Sequence, residues 1–269
     1  MTTLLLPAVF AIFIWWFSTG LILLLDNLPR TTFRWSIVLS SLLAGGALLG
    51  LAHTASQTTE AAAYCAFTCA LLVWGWHELT FLTGWLTGPR KIASPAGLTG
   101  WPRFSQAVAA ILWHEIGILA MGAAIVAITW NAPNQVGTWT FAVLWTMRTS
   151  AKLNLFLGVR NLSEEFLPPH LKYLQSFFRR RKMNLLFPLS VTAATAVAAM
   201  MVAAALQAPA AEAVGLVLVT TMLALAILEH WLLVLPLPST ALWRWAMRQP
   251  TPEPAAARPD NEDILLHAR

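Results

Sequence analysis

The sequence is poor in charge. Only 11% of its residues are Asp, Glu, Lys or Arg, against roughly a quarter in a soluble domain. At the same time 58% are hydrophobic and the mean hydropathy is +0.64. That combination excludes a water-soluble globular protein and indicates an integral membrane protein. Cysteine is scarce too. Cys65 and Cys69, four apart on one helical face, make neither a disulfide framework nor, without a nearby His, a metal signature. No Gly-rich phosphate loop and no Ser-His-Asp nucleophile arrangement stands out. Lys and Arg are missing altogether from three segments, "HTASQTTE" at 53–60, "NAPNQVG" at 131–137 and "QAPAAEA" at 207–213.

What is present is a series of long apolar runs. A helix needs about 20 apolar residues to cross a hydrocarbon core. Seven runs qualify, at 4–25, 33–53, 61–86, 104–130, 137–157, 185–206 and 213–236. The first is too long for a signal-peptide core and has no basic n-region, so it reads as a retained helix. Short connections predict one all-α bundle of about seven transmembrane helices over 1–248, without a separate catalytic domain. Basic residues collect in the alternate connections: Arg30 and Arg34; Arg90, Lys91 and Arg103; Arg160, Lys172 and Arg179–Lys182; Arg244, Arg248, Arg258 and Arg269. Cytoplasmic loops concentrate Lys and Arg, which predicts a multi-pass membrane protein with its N-terminus outside and its C-terminus in the cytoplasm. The isoelectric point near 9.8 is thus a topology signal, and no nucleic-acid partner is expected.

Small residues, including Gly46-x-x-x-Gly50 and the Ala-rich 191–205, allow close helix approach, within the bundle or between copies. Segment 160–184, "RNLSEEFLPPHLKYLQSFFRRRKMN", places Leu171, Leu174, Phe177 and Phe178 on one side of a possible helix. It reads as a cytoplasmic interfacial segment, or as a plain basic anchor. The tail 249–269, rich in Pro, Ala and charge, cannot bury a core and is expected to be disordered.

One tripeptide recurs inside the apolar runs. "GWHELT" (75–80) and "LWHEIG" (112–117) share Trp-His-Glu, and "ILEHWL" (227–232) reverses it. With Arg148, Lys152 and Asn154 of the fifth run, these residues fall in one stratum roughly 5–15 Å inside the cytoplasmic boundary at 1.5 Å per residue. Glu78, Glu115, Glu229, Arg148 and Lys152 would together cost on the order of 12–17 kcal/mol if each faced lipid alone. They must face inward, pair, or bind something.

Three readings satisfy that demand. An internal ion-pair network would set three carboxylates against Arg148 and Lys152 and fix helix register without chemistry. A metal site (iron, manganese or zinc) would draw on His77, Glu78, His114, Glu115, Glu229 and His230, with Glu164, Glu165 and His170 of the inner loop as possible closers. Adjacent helical residues diverge by about 100°, so one member of each His-Glu pair would serve in support of the other. The Glu-x-x-His spacing of di-iron bundles is absent. A tetrapyrrole site would use His77, His114 and His230 as axial ligands to heme iron or chlorophyll magnesium, with Trp76, Trp113 and Trp231 flanking the macrocycle. Transport through the layer is a further class, but the outer helix halves carry no comparable acid, base or His cluster.

At "NLSEEFLPPHLKYLQSFF", taken with "WHELTFLTGWLTGPR" and "LWHEIG", the chain resembles the PuhE family, photosynthetic complex assembly membrane proteins of purple phototrophic bacteria, across nearly all of residues 1–240. The resemblance implies a role in building the reaction centre and its core antenna, or in supplying them with bacteriochlorophyll. It implies residence in the cytoplasmic and intracytoplasmic membrane. Reaction-centre or core-antenna subunits and pigment-synthesis proteins would be the partners, beside the lipid bilayer. It carries no catalytic residues over. A metal-dependent membrane oxidoreductase acting on a bacteriochlorophyll precursor is the rival reading.

Overall fold

In a computed structural model, which describes residues 2–237 and 239–247, the chain forms seven long helices: α1 (Thr2–Asp26), α2 (Phe33–Thr54), α3 (Glu60–Leu82), α4 (Gly100–Ile128), α5 (Val136–Leu157), α6 (Leu186–Ala205) and α7 (Ala210–Leu232). Six are long and apolar enough to cross a membrane. The other is α5, whose Thr138, Thr140, Thr146, Arg148, Thr149, Ser150, Lys152 and Asn154 dilute its apolar character. The expected seven spans thus become six apolar helices and one polar helix that packs against α3, α4, α6 and α7. The disordered tail expected over 249–269 lies outside the described residues.

Helix α3 is the hub. It touches α1, α2, α4, α5 and α7, and Ala62, Ala63, Ala66 and Ala70 line its buried length. Its start is capped by Thr59, whose hydroxyl accepts from Ala62 N at 3.2 Å, with Glu60 in the first turn complementing the positive helix end. Two apolar clusters share it. One joins Leu51 of α2, Val73 and Trp74 of α3, Ile118 and Ile125 of α4 and Phe141 of α5. The other joins Ala11 of α1, Phe67 and Leu71 of α3, and Leu218 and Met222 of α7. Of the Gly46/Gly50 pair, Gly50 is used inside the bundle: a Cβ there would stand 2.6 Å from Cys69 Sγ, whereas one on Gly46 would meet nothing within 4 Å. Cys65 and Cys69 are free thiols.

Connections meet at two opposite faces. At one, Asn134 ties the α4–α5 turn to the end of α2 through Thr54 O and Ala55 O. At the other, Arg103 donates to Phe156 O and Phe177 O, and Asn161 to Leu232 O. The described Lys and Arg of the connections, from Arg30 to Arg244, all belong to this second face, which is the charge sorting expected of a multi-pass membrane protein.

Two departures from the periodicity reading have local reasons. α3 stops at Leu82, not 86: Thr83 Oγ1 donates to Leu79 O at 2.7 Å, Gly84 turns left-handed (φ +81°), and the Trp85 and Leu86 amides both donate back to Thr80 O. That is a glycine-dependent helix stop. Segment 160–184 contains a nine-residue 3-10 run, Pro169–Phe177, in place of an α-helix. Its Leu171, Leu174 and Phe177, spaced by three as a 3-10 helix requires, pack on Phe81, Leu82 and Ala110. The apolar side is turned onto the bundle rather than onto lipid.

Candidate functional site

The repeated Trp-His-Glu segments are explained by α5. Arg148 and Lys152 are one turn apart on that helix and share a face. Arg148 Nη2 lies 2.9 Å from Glu78 Oε2 of α3, and Lys152 Nζ lies 2.6 Å from Glu115 Oε1 of α4. Each copy of the motif thus hands its carboxylate to a different cation of one polar helix. Charge-assisted bonds of this length are the strong class, and in an apolar bundle each partner removes the cost of leaving the other alone. The Glu78 side chain is 12% accessible while that of Arg148 is 43%, so the layer is closed at α3 and open beside Arg148.

The third copy behaves differently. Glu229 of α7 accepts from Trp15 Nε1 of α1 at 3.0 Å and stands within electrostatic reach of Arg148, whose nearest carboxylate is Glu78. His230 is occupied on both ring nitrogens. Nδ1 lies 2.9 Å from Ala226 O, which can only accept, so Nδ1 carries the proton; Nε2 then faces Ser150 Oγ at 2.9 Å. Ser190 Oγ of α6 lies 2.8 Å from the same Ser150 hydroxyl. Asn154 extends this seam: its Oδ1 accepts from Asn184 Nδ2 at 2.9 Å, and Asn184 Oδ1 accepts from the Leu186 amide at the start of α6.

His77 and His114 form a pair apart. Both are fully enclosed, and their ring centroids are 6.3 Å apart at a steep interplanar angle of 79°. Neither nitrogen of His77 has a hydrogen-bond partner, nor has His114 Nδ1. Trp76, Phe81 and Phe141 surround them. The chain after α3 sets His114 in place: the His114 amide donates to Thr87 O at 2.8 Å. Gly88 lies so close to α4 that an added Cβ would stand 2.1 Å from Ala109 O.

The nine site residues named from sequence therefore separate. His77 and His114 meet; Glu78 and Glu115 go to Arg148 and Lys152; Glu229 and His230 go to Trp15 and Ser150. The inner-loop candidates stay at the basic face: Glu164 lies 3.5 Å from Arg180, Glu165 is exposed, and His170 Nε2 donates to Leu82 O at 2.8 Å. Among the described residues no three of His, Cys, Asp and Glu converge as a metal-ligand set. The three tryptophans share no wall. Trp76 donates to Ser41 Oγ of α2, Trp113 is exposed, and Trp231 meets Phe187 of α6 edge-on. Trp15, Ser150 and Ser190 leave no mark in the sequence pattern, because a hydroxyl or an indole has no spacing signature and Trp15 lies 214 residues from Glu229.

No solved structure matches the chain. A 30.4 kDa protein from the puhA 5′ region of Rhodobacter capsulatus, described as uncharacterized, is 42% identical over 247 residues, 90% of either chain. Residues 1–254 match the family described as proteins of unknown function, DUF3623, and the chain belongs to that family.

Proposed function

We propose that this protein is a membrane assembly factor for the bacterial photosynthetic apparatus, serving the reaction centre and core antenna or their bacteriochlorophyll supply. The observation that carries this reading is the 42% identity, over nine-tenths of both chains, to a protein of the puhA region. We place it in the cytoplasmic and intracytoplasmic membrane with its basic face in the cytoplasm and its N-terminus periplasmic, which the one-sided distribution of Lys and Arg supports.

Within that role the charged layer acts first as a lock. Two ion pairs, an indole–carboxylate bond and the His230–Ser150 contact join α1, α3, α4, α5 and α7. A tetrapyrrole or a metal would be held by His77 and His114, the enclosed histidines of the described residues whose ring nitrogens lack protein partners; complete enclosure means α3 and α4 must part to admit a macrocycle. The donor set does not fit a metal closed by three or more protein ligands among the described residues, which weakens the oxidoreductase reading.

The test is a deletion strain complemented with wild-type or His77→Phe/His114→Phe protein, scored for reaction-centre yield and pigment precursors, with an absorption spectrum and metal content of the purified protein. An assembly factor gives loss of reaction centre with an unchanged precursor profile. Accumulation of one defined precursor would replace this reading with the enzyme.

A further inference from the structure

The basic face holds a cavity that the charged layer does not use. It has a volume of about 260 Å³ and is lined by Arg30, Phe33, Thr83, Gly84, Thr87, Lys91, His170, Leu171 and Tyr173, contributed by the α1–α2 connection, the start of α2, the chain after α3 and the 3-10 run. Two cations reach it from separate segments, and among the described residues neither Arg30 nor Lys91 makes an ion pair. Thr87 is 2% exposed and its hydroxyl has no partner. The Tyr173 phenol, on the same cavity, likewise has no hydrogen-bond partner. Buried hydroxyls are ordinarily satisfied, so two orphans on one cavity, under two uncompensated cations, describe donors waiting for an acceptor.

The remaining walls define the acceptor further. No carboxylate lines the cavity. His170 donates Nε2–H to Leu82 O; burial, outweighing that bond, and the nearby Arg30 and Lys91 hold its pKa below the ordinary value. Its ring lies beside Phe33, with centroids 6.3 Å apart. At roughly 30 Å³ per water, the volume exceeds what a bare oxyanion fills and leaves room for an attached glycerol-sized group beside Phe33 and Leu171. Arg and Lys together, with hydroxyl donors at the side, suit the several oxygens of a phosphate better than a single carbonyl.

We propose that this cavity is a phosphate-binding site at the basic face, with Arg30 and Lys91 as the cationic clamp and Thr87 and Tyr173 as hydroxyl donors. The phosphate can belong to a phospholipid headgroup or to a soluble phosphate, and the test separates the two. Wild-type protein in maltoside micelles is titrated with dioctanoyl phosphatidylglycerol, with inorganic phosphate and with uncharged dioctanoylglycerol, and binding is read by native mass spectrometry and by the His170 ring signal in NMR. Phosphate binding between Arg30 and Lys91 raises the His170 pKa, because it offsets the cations that depress it. Arg30→Gln/Lys91→Gln should weaken binding by about tenfold or more and Thr87→Val by about threefold, as lost charge-assisted and neutral hydrogen bonds do. Arg34→Gln, removing an equal charge that lies over Trp35, should change nothing. Tight binding of phosphatidylglycerol with weak inorganic phosphate assigns a lipid headgroup; comparable binding of both assigns a soluble phosphate. Absence of binding by both, equal binding of the uncharged glyceride, or unchanged affinity in both Arg30→Gln/Lys91→Gln and Thr87→Val would overturn the proposal.

Discussion

Lys152 Nζ stands 2.6 Å from Glu115 Oε1, joining α5 to α4 within the apolar part of the bundle. One turn earlier on α5, Arg148 does the same for Glu78 of α3. The polar helix is held by its neighbours' carboxylates, and those neighbours tolerate the carboxylates because of the polar helix. Neither half is stable in hydrocarbon without the other.

This interdependence predicts a sign reversal between single and double substitutions. Glu115→Ala leaves the Lys152 ammonium without its partner, and removing one member of a buried pair costs about 3–5 kcal/mol. Glu115→Leu combined with Lys152→Met removes both charges and keeps the volume, so it should recover most of that loss. Thermal unfolding of the detergent-solubilised variants, followed by size-exclusion chromatography, reads both. A double variant no better than the single would show that the pair is not the source of the loss.

Histidines of the same motif should answer differently to one substitution. His77→Phe removes nitrogens that bond to no protein group and places one aromatic ring among others, so the melting temperature should change little. His230→Phe removes two hydrogen bonds, to Ser150 Oγ and Ala226 O. Although Ser150 keeps Ser190, each lost bond costs about 0.5–1.5 kcal/mol, so a clear drop in melting temperature follows. If His77 holds a ligand, His77→Phe loses it while remaining folded, which separates a functional from a structural role.

Much of this layer was legible in the sequence because charge in an apolar run is costly wherever it stands. Glu78, Glu115, Arg148 and Lys152 announce themselves by that cost, which requires them to face inward, pair or bind something, but does not choose among the three. Nor does it name the partner of each. Trp15 finds Glu229 only after α1 and α7 pack, and the separation of His230 from His77 and His114 depends on the position of α5 among them. Helix existence was readable from run length. The stop at Leu82 was not, because Trp85 and Leu86 resume the apolar pattern just after Thr83 and Gly84. The apolar side of Pro169–Phe177 was visible, but not the surface it covers, since a bilayer and the underside of α3 present the same chemistry to Leu171.

Gly88 is a position where close approach depends on the absence of a side chain. Gly88→Ala would drive its methyl into Ala109 O and the Ala110 backbone, neither of which can yield as a flexible side chain does. The chain after α3 should lift from α4, breaking the Thr87 O–His114 amide bond, and limited proteolysis should cut within 83–99 more readily than in wild type. Gly45→Ala, with nothing within 4 Å of the added methyl, is the control that should leave the digestion pattern unchanged.

Acid should loosen the basic face through His170. In the folded protein its pKa lies below the ordinary value because of burial, which outweighs the Leu82 carbonyl bond, with Arg30 and Lys91 adding to the depression. A group depressed on folding binds fewer protons in the native state than in the unfolded one. Its contribution to stability is therefore whole above the unfolded value, near 6.5, and is lost as pH falls through the lower folded one. His170→Gln has no proton to gain and can still donate to Leu82 O, so it should flatten the stability profile below about pH 6.5. Wild type and variant melting in parallel from pH 7.5 to 5 would show that His170 contributes no such linkage.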